Sequence, residues 1–451
     1  MLKLREYQEQ AADFLFARDL AMILAPVGAG KTAITLTAMR DMIGRGVAKR
    51  FLVLAPKRVC ESVWQQEAAK WAPNLAVAIA VGTPVRRAAA VRSCADIVLL
   101  NYDGLQWFGK QWPTLRGLFD GVVFDELTRL KNPSGARFKV LFKMIEGVRF
   151  RWGLTGSFTS NGLEDVFGQC KVIDQNLLGK SKTAFLQKYF VCINRDYSEW
   201  EPRVGSLEKV MLLIKPATYV LDAGKYADKL PPLHTVEIRC DMPDRKPYDD
   251  MKRDFVARFP DAQAVAANAG VVGVKLQQMS SGFVYDTDKR PNPDKPGKFI
   301  ATQTPIWFST HKFDLLENLL NENQRANTLI VYQFQEELEE LQRRYPKACT
   351  LDSHDAINRW NKGRIELLLI HPKSAAHGLN LQYGGCKLVF LTLPRGSLEA
   401  YEQVIGRLLR SGQQHDVWCY VLLTNKTIDD IVWADLHGKR NVSDIAIQAL
   451  K

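Results

Sequence analysis

The eight cysteines, Cys60, Cys94, Cys170, Cys192, Cys240, Cys349, Cys386 and Cys419, are scattered and include no Cys-x-x-Cys pair. That spacing argues against both a disulfide framework and a zinc site. His371, His377 and Cys386 are near one another in the chain, but at intervals that fit no familiar metal site. No run of about 18 apolar residues is present, so no transmembrane helix is expected, and no basic amphipathic segment stands out as a membrane-surface anchor. The opening stretch Met1-Leu2-Lys3-Leu4-Arg5-Glu6 has no signal-peptide apolar region, which reads as a cytoplasmic protein.

What the chain has in excess is positive charge. Sixty-one Lys and Arg against 49 Asp and Glu leave a net +12. A surplus of this size suits a polyanionic partner, and nucleic acid is favoured over acidic membrane. With 46% hydrophobic and 24% charged residues the composition is that of a globular protein. At 451 residues the chain exceeds what one core organises, so two or three domains are expected.

Near the start, Ala21-Met22-Ile23-Leu24 reads as a buried strand and Ala33 to Met39 as a helix. Between them lies Ala25-Pro26-Val27-Gly28-Ala29-Gly30-Lys31-Thr32, the strand, loop, helix order of a phosphate-cradling loop. Gly28 and Gly30 permit backbone N–H groups to turn toward phosphate oxygens, and the helix N-terminus adds a favourable dipole. Val27, Gly28, Ala29, Gly30, Lys31 and Thr32 are therefore the candidate ATP-binding set, with Lys31 neutralising phosphate charge and the Thr32 hydroxyl ligating Mg²⁺. A second anchor for the metal follows in Gly121-Val122-Val123-Phe124-Asp125-Glu126. Asp125 at a strand tip suits Mg²⁺, and Glu126 is placed to orient or deprotonate an attacking water.

Short apolar strands at 50–55, 77–81, 96–100, 121–124 and 150–154 alternate with helical stretches, which predicts a doubly wound parallel sheet. From about Leu178 the pattern breaks, with Lys215-Pro216, Pro231-Pro232 and Asp288 to Pro296 as loop signals. Strands at 328–332, 365–370, 387–391 and 417–422 then restore the alternation without a second phosphate loop. The expected organisation is α/β: a nucleotide-binding lobe over 1–178, a mostly helical insertion over 179–310 and a second lobe over 311–451. Trp107, Phe108 and Trp112 have the chemistry to stack bases, although core packing is the favoured reading. Late in the chain, Arg407 and Arg410 lie three apart on an expected helix, hence on one face.

These residues resemble, in order, the motifs of a superfamily-two helicase of the Swi/Snf branch. Leu4-Arg5-Glu6-Tyr7-Gln8 resembles the adenine-reading motif and Ala25 to Thr32 motif I. Leu54 to Lys57 with Trp64 to Glu67 resemble motif Ia, Asp125-Glu126 motif II and Leu154-Thr155-Gly156-Ser157 motif III. Val331 to Phe334 resemble motif IV, Gly378-Leu379-Asn380-Leu381 motif V, and Gln403 to Gln413 motif VI. The compact size is similar to that of the short helicases encoded by bacteriophages. The resemblance implies two RecA-like lobes, ATP with Mg²⁺, Gln8 at the adenine edge with Arg5 stacked on the base, and Gln403 beside the nucleotide. It also implies Arg407 and Arg410 as arginine fingers, and DNA as partner, duplex or branched, engaged by a monomer.

Candidate DNA contacts are Lys57, Arg58, Asn101, Tyr102, Gln333, Lys373, Gly378 and Asn380, all expected in loops after strands, where open α/β sheets bind ligands. Three departures from the family stand out. Thr128 replaces the motif II histidine, Ser157-Phe158 replace Thr-Pro in motif III and leave its turn without proline rigidity, and His371-Pro372 replace small hydroxylated residues beside motif V. The implied activity is an ATP-driven translocase or helicase on duplex DNA, acting at forks or branched junctions. An ATP-gated DNA clamp that recruits a nuclease or polymerase, and a single-strand helicase, are the alternatives.

Overall fold

Runs such as Phe51-Leu52-Val53-Leu54-Ala55, in which every side chain is buried, suit only strands covered on both faces, and these build the centre of each sheet. The computed structural model describes residues 3–194, 199–221, 230–260, 262–291, 299–351, 354–375 and 379–451. It divides into two compact units, Met1–Lys229 with Gly438–Lys451, and Leu230–His437.

The first unit contains β1 (Leu20–Leu24), β2 (Phe51–Ala55), β3 (Val77–Ala80), β4 (Ile97–Asn101), β5 (Gly121–Asp125), β6 (Phe150–Thr155), β7 (Phe190–Asn194), β8 (Glu199–Pro202) and β9 (Thr218–Val220). Seven of these form one sheet in the order β3-β4-β2-β5-β6-β1-β9, with every pairing parallel. Helices such as Lys31–Gly44 and Asp165–Ile173 connect and cover it. Phe108 is fully buried in its core, with Trp107 and Trp112 packed alongside, so these aromatics pack rather than stand ready to stack bases.

The second unit contains β10 (Leu233–Cys240), β11 (Val256–Phe259), β12 (Ala262–Val265), β13 (Phe283–Pro291), β14 (Phe299–Trp307), β15 (Thr328–Val331), β16 (Cys349–Thr350), β17 (Leu367–Ile370), β18 (Lys387–Phe390) and β19 (Val417–Thr424). Its sheet runs β10-β19-β18-β15-β17-β16 and is likewise parallel throughout. Both units are thus doubly wound parallel lobes of the expected class.

The boundaries differ from those expected. The stretch 179–310 divides between the units at 229/230, and residues 438–451 join the first unit, where Ala446 and Leu450 lie in its core. Edge-strand pairing accounts for part of this. Thr218 pairs with Met22 at one edge of the first sheet, and β10 pairs with β19 along all eight residues. Besides helices, the described residues of the stretch contribute three antiparallel strand pairs, β7–β8, β11–β12 and β13–β14. The loop signal at Asp288 was premature: β13 continues to Pro291, because the antiparallel ladder supplies backbone hydrogen bonds that outweigh the local preference of Lys-Arg-Pro.

Candidate functional site

The phosphate loop leaves β1 tied to its neighbouring strand, since the Ala25 N–H donates to the Thr155 carbonyl at the end of β6 at 3.0 Å. Gly28 and Gly30 hold φ of 84° and 85°, the left-handed region open to glycine, and Gly30 caps the helix Lys31–Gly44. A Cβ at Gly30 would also meet the Gln8 amide. Lys31 Nζ donates to the carbonyls of Ala25 at 2.7 Å and Pro26 at 3.0 Å, so its ammonium lies across the loop itself. Gln8, expected at the adenine edge, braces this loop. Its Nε2 donates to the Ala29 carbonyl at 3.1 Å, and its Oε1 accepts from the Arg5 N–H at 3.0 Å. Arg5 reaches the Tyr7 hydroxyl with Nη1 at 3.3 Å.

Asp125, the last residue of β5, is 8% exposed. Trp64 Nε1 donates to its Oδ2 at 2.8 Å, and the Glu126 N–H to its Oδ1 at 3.1 Å. Burial pushes the Asp125 carboxyl above its ordinary range, while the Trp64 hydrogen bond and the Lys31 charge pull the other way. The Lys31 charge acts on this carboxylate, and Thr32 lies in the first turn of the helix Lys31–Gly44; a carboxylate, an ammonium and a hydroxyl are the groups that suit a magnesium–triphosphate pair. Glu126 has φ 57° and ψ 63°, a left-handed conformation rare outside glycine, and Arg129 Nε holds its Oε2 at 3.0 Å. Strain of this kind gathers at working sites.

Motif III has no proline, yet its turn is held by hydroxyls. Thr155 Oγ1 donates to the Ser157 carbonyl at 2.7 Å and accepts from the Ser157 N–H at 3.2 Å. Gln169 Nε2 donates to the Phe158 carbonyl at 2.9 Å, and Ser157 Oγ meets Ser443 Oγ at 3.2 Å. The expected loosening is therefore compensated by side-chain bonds. Thr128 is buried in the short turn Leu127–Leu130.

In the second unit, motifs V and VI are knitted together. The Leu381 N–H donates to the Arg407 carbonyl at 3.3 Å and Arg410 Nη1 to the Leu379 carbonyl at 3.1 Å. Gln413 Nε2 reaches the carbonyls of Gln382 at 2.9 Å and Gly385 at 3.0 Å, and Gln403 Nε2 the Glu399 carboxylate at 3.0 Å. The two arginines do not share a helix face as expected. The helix ends at Leu408 and Leu409 leaves helical geometry, so Arg410 lies beyond the cap, while Arg407 is 4% exposed within the last turn.

The SNF2-related domain family matches residues 7–269, and the Helicase conserved C-terminal domain family matches 311–412. Protein p41 of Acyrthosiphon pisum secondary endosymbiont phage 1 is 32% identical over 99% of this chain and 98% of its own length. The chain belongs to the Swi/Snf branch of superfamily-two helicases. Membership implies ATP hydrolysis. The ISWI chromatin-remodeling complex ATPase ISW2 of Saccharomyces cerevisiae is 22% identical, and this Swi/Snf-type chain spans 41% of its length. A solved Sulfolobus solfataricus SWI2/SNF2 ATPase core in complex with double-stranded DNA has a TM-score of 0.47 and 18% identity, covering 99% of this chain and 93% of that one.

Of the expected DNA contacts, Lys57, Arg58, Lys373 and Asn380 are exposed, and Gln333 is half-buried. Asn101 and Tyr102 are each 4% exposed. The Tyr102 hydroxyl donates to the Asp125 carbonyl at 2.8 Å, which makes this side chain a support of motif II inside the lobe. The strand simply runs one residue further than expected, so Asn101 ends β4 instead of opening a loop. Gly378 and His377 lie outside the described residues. Sequence reasoning missed the Trp64 bond to Asp125, which spans 61 residues and leaves no local trace. It also missed Glu337, although a Glu at the third position of the helix Gln335–Arg344 is a signal of a side chain folding back on its cap.

No helix among the described residues is long and apolar enough to cross a membrane.

Proposed function

We propose that this Swi/Snf-type protein is an ATP-dependent translocase on duplex DNA, working as a monomer in the cytoplasm, that of the host if phage-borne, to remodel forks or branched junctions. The observation that carries the reading is the phosphate loop with its left-handed glycines, at the end of the same sheet as the buried Asp125 and the strained Glu126. The net charge of +12 supports a polyanionic track.

In this reading Val27 to Thr32 cradle the triphosphate, Gln8 reads the adenine edge from beside the loop, and Arg5 stacks on the base. Thr32 and Asp125 hold Mg²⁺, which supplies charge neutralisation on the phosphate oxygens. Lys31 exchanges the Ala25 and Pro26 carbonyls for phosphate oxygens. Glu126 accepts the proton of the attacking water as the γ-phosphorus–oxygen bond to ADP breaks. Arg407 and Arg410, with Gln403 beside them, complete the charge cage from the second lobe. Lys57, Arg58, Gln333, Lys373, Gly378 and Asn380 grip backbone phosphates, and nucleotide-driven closure moves the second-lobe contacts along the duplex.

The test is steady-state hydrolysis with no DNA, duplex DNA and single strands, alongside displacement of a third strand from a triplex. Strong stimulation by duplex with displacement is expected. Stimulation by single strands alone would instead favour a single-strand helicase. Tight ATP-dependent DNA retention without stimulation would favour a clamp.

A further inference from the structure

Two groups of the second unit that nucleotide chemistry does not use, one buried and one half-buried, converge on one peptide of motif IV. The Gln333 N–H donates to Glu337 Oε2 at 2.8 Å, and the Phe334 N–H reaches the same oxygen at 3.2 Å. On its other side the Gln333 carbonyl meets His371 Nε2 at 3.2 Å. The second carboxylate oxygen of Glu337 accepts from Ser281 Oγ at 2.7 Å and Thr392 Oγ1 at 2.5 Å. Glu337, Ser281 and Thr392 are all fully buried.

The histidine's tautomer follows from its partners. The Lys373 N–H approaches His371 Nδ1 at 3.1 Å and can only donate, so Nδ1 accepts. Nε2 therefore carries the hydrogen and donates to the Gln333 carbonyl. Tyr332 packs edge-on against the ring at 5.7 Å. One neutral imidazole thus joins the backbone of motif IV to that of Lys373, ahead of motif V.

A buried carboxylate is costly, and an apolar side chain would fill the same volume without that cost. Its hydrogen bonds give a reason for its presence: two consecutive peptide N–H groups of the loop find one acceptor, anchored from behind by two hydroxyls. We propose that Glu337 and His371 are positioning residues that lock the motif IV loop and tie it to Lys373, so that both segments engage DNA as one rigid grip. The inference rests on the reading of motifs IV and V as DNA contacts.

The test compares His371→Phe, Glu337→Met and Glu337→Gln with the parent chain, reading basal hydrolysis, the KM for ATP and the duplex concentration for half-maximal stimulation. His371→Phe keeps a ring against Tyr332 but removes both bonds. Glu337→Met removes the acceptor. Glu337→Gln keeps an oxygen for the two N–H groups and turns its amide toward hydroxyls able to accept. His371→Phe and Glu337→Met are expected to raise the half-stimulating duplex concentration about five- to tenfold, with basal rate and ATP KM within about twofold of the parent. Glu337→Gln is expected to stay near the parent. Thermal unfolding identifies any general loss of fold in Glu337→Met, in which case the half-buried His371 carries the test. A stimulated parent with an indifferent His371→Phe overturns the inference alone, as does Glu337→Gln behaving like Glu337→Met in folded protein. A parent without duplex stimulation overturns the motor reading and this inference with it.

Discussion

The two lobes share a sheet architecture but place charge in their interiors differently. In the first, motif II presents one nearly buried carboxylate, Asp125, bonded by an indole and a backbone amide at the end of a strand. In the second, Lys312 and Asp429 form an ion pair at 2.7 Å with side chains 0% and 3% exposed. Asp429 also accepts from Ser280 Oγ at 2.8 Å and from the Thr424 N–H at 3.0 Å. His311 Nε2 lies 3.1 Å from the Ser280 carbonyl and Nδ1 lies 2.8 Å from Ser309 Oγ. The expected role of Asp125 is chemical, whereas the Lys312–Asp429 pair of the second lobe pins segment ends to one another. Altering the first should cost activity, and altering the second should cost stability.

The largest expected effect lies in the first lobe. Lys31→Ala should lose nucleotide binding, and Glu126→Gln should keep it, with hydrolysis falling about 10³- to 10⁴-fold in both. Melting temperatures should stay near the parent value. Residual turnover at the parent rate in either variant would remove the site assignment, and a large loss of stability would blur the contrast between lobes.

Arg410→Ala sharpens the contrast from the other side, because Arg410, like Arg407, is a charge of the second lobe whose expected role is chemical, and it is half-buried. DNA-stimulated kcat should fall about 10³-fold while ATP affinity barely changes. Hydrolysis at the parent rate in saturating DNA would show that the second lobe does not complete the site.

Lys312→Met should destabilise the second lobe by about 3–5 kcal/mol, since it leaves Asp429 buried without its ammonium. Chemical denaturation followed by fluorescence should split into two transitions, the earlier belonging to the second lobe. Adding Asp429→Leu should recover much of the loss. A single unshifted transition would mean the pair contributes little.

The smallest effect concerns pH. All seven histidines lie in the second unit, and burial holds the imidazoles of His311 and His371 below their ordinary range. On acidification the unfolded chain takes up these protons before the folded one. Their stabilising contribution is therefore complete above about pH 6.5 and is lost as pH falls toward the depressed folded values. Unfolding monitored from pH 7.5 to 5.5 should show the second lobe weakening first. His311→Phe together with His371→Phe should flatten that dependence, and an unchanged slope would assign it to other groups.

Much of this was legible beforehand because it is local. The strand before Ala25, the two glycines and the helix opening at Lys31 are contiguous, and their geometry follows from steric rules acting within a few residues. The same holds for the central strands β2, β4, β5, β15 and β19, whose apolar runs mark them as interior. Arg410 was misplaced because the helix stops at Leu408, where bonds between motifs V and VI take over from helix propensity. Tyr102 was misread because burial, unlike identity, is invisible in a loop-like Asn-Tyr-Asp-Gly stretch.

By itself the sequence determined the family, the two parallel lobes and the nucleotide-binding loop, since each rests on periodicity or on residues adjacent in the chain. Only the tertiary structure decided that residues 230–310 belong with the second lobe, where β10 completes the edge of its sheet beside β19. The same is true of Trp64 holding Asp125 and of Glu337 and His371 sharing the Gln333 peptide. A hydrogen bond depends on a few tenths of an ångström and on direction. For residues dozens of positions apart, those quantities exist only once the sheets have brought the chain together.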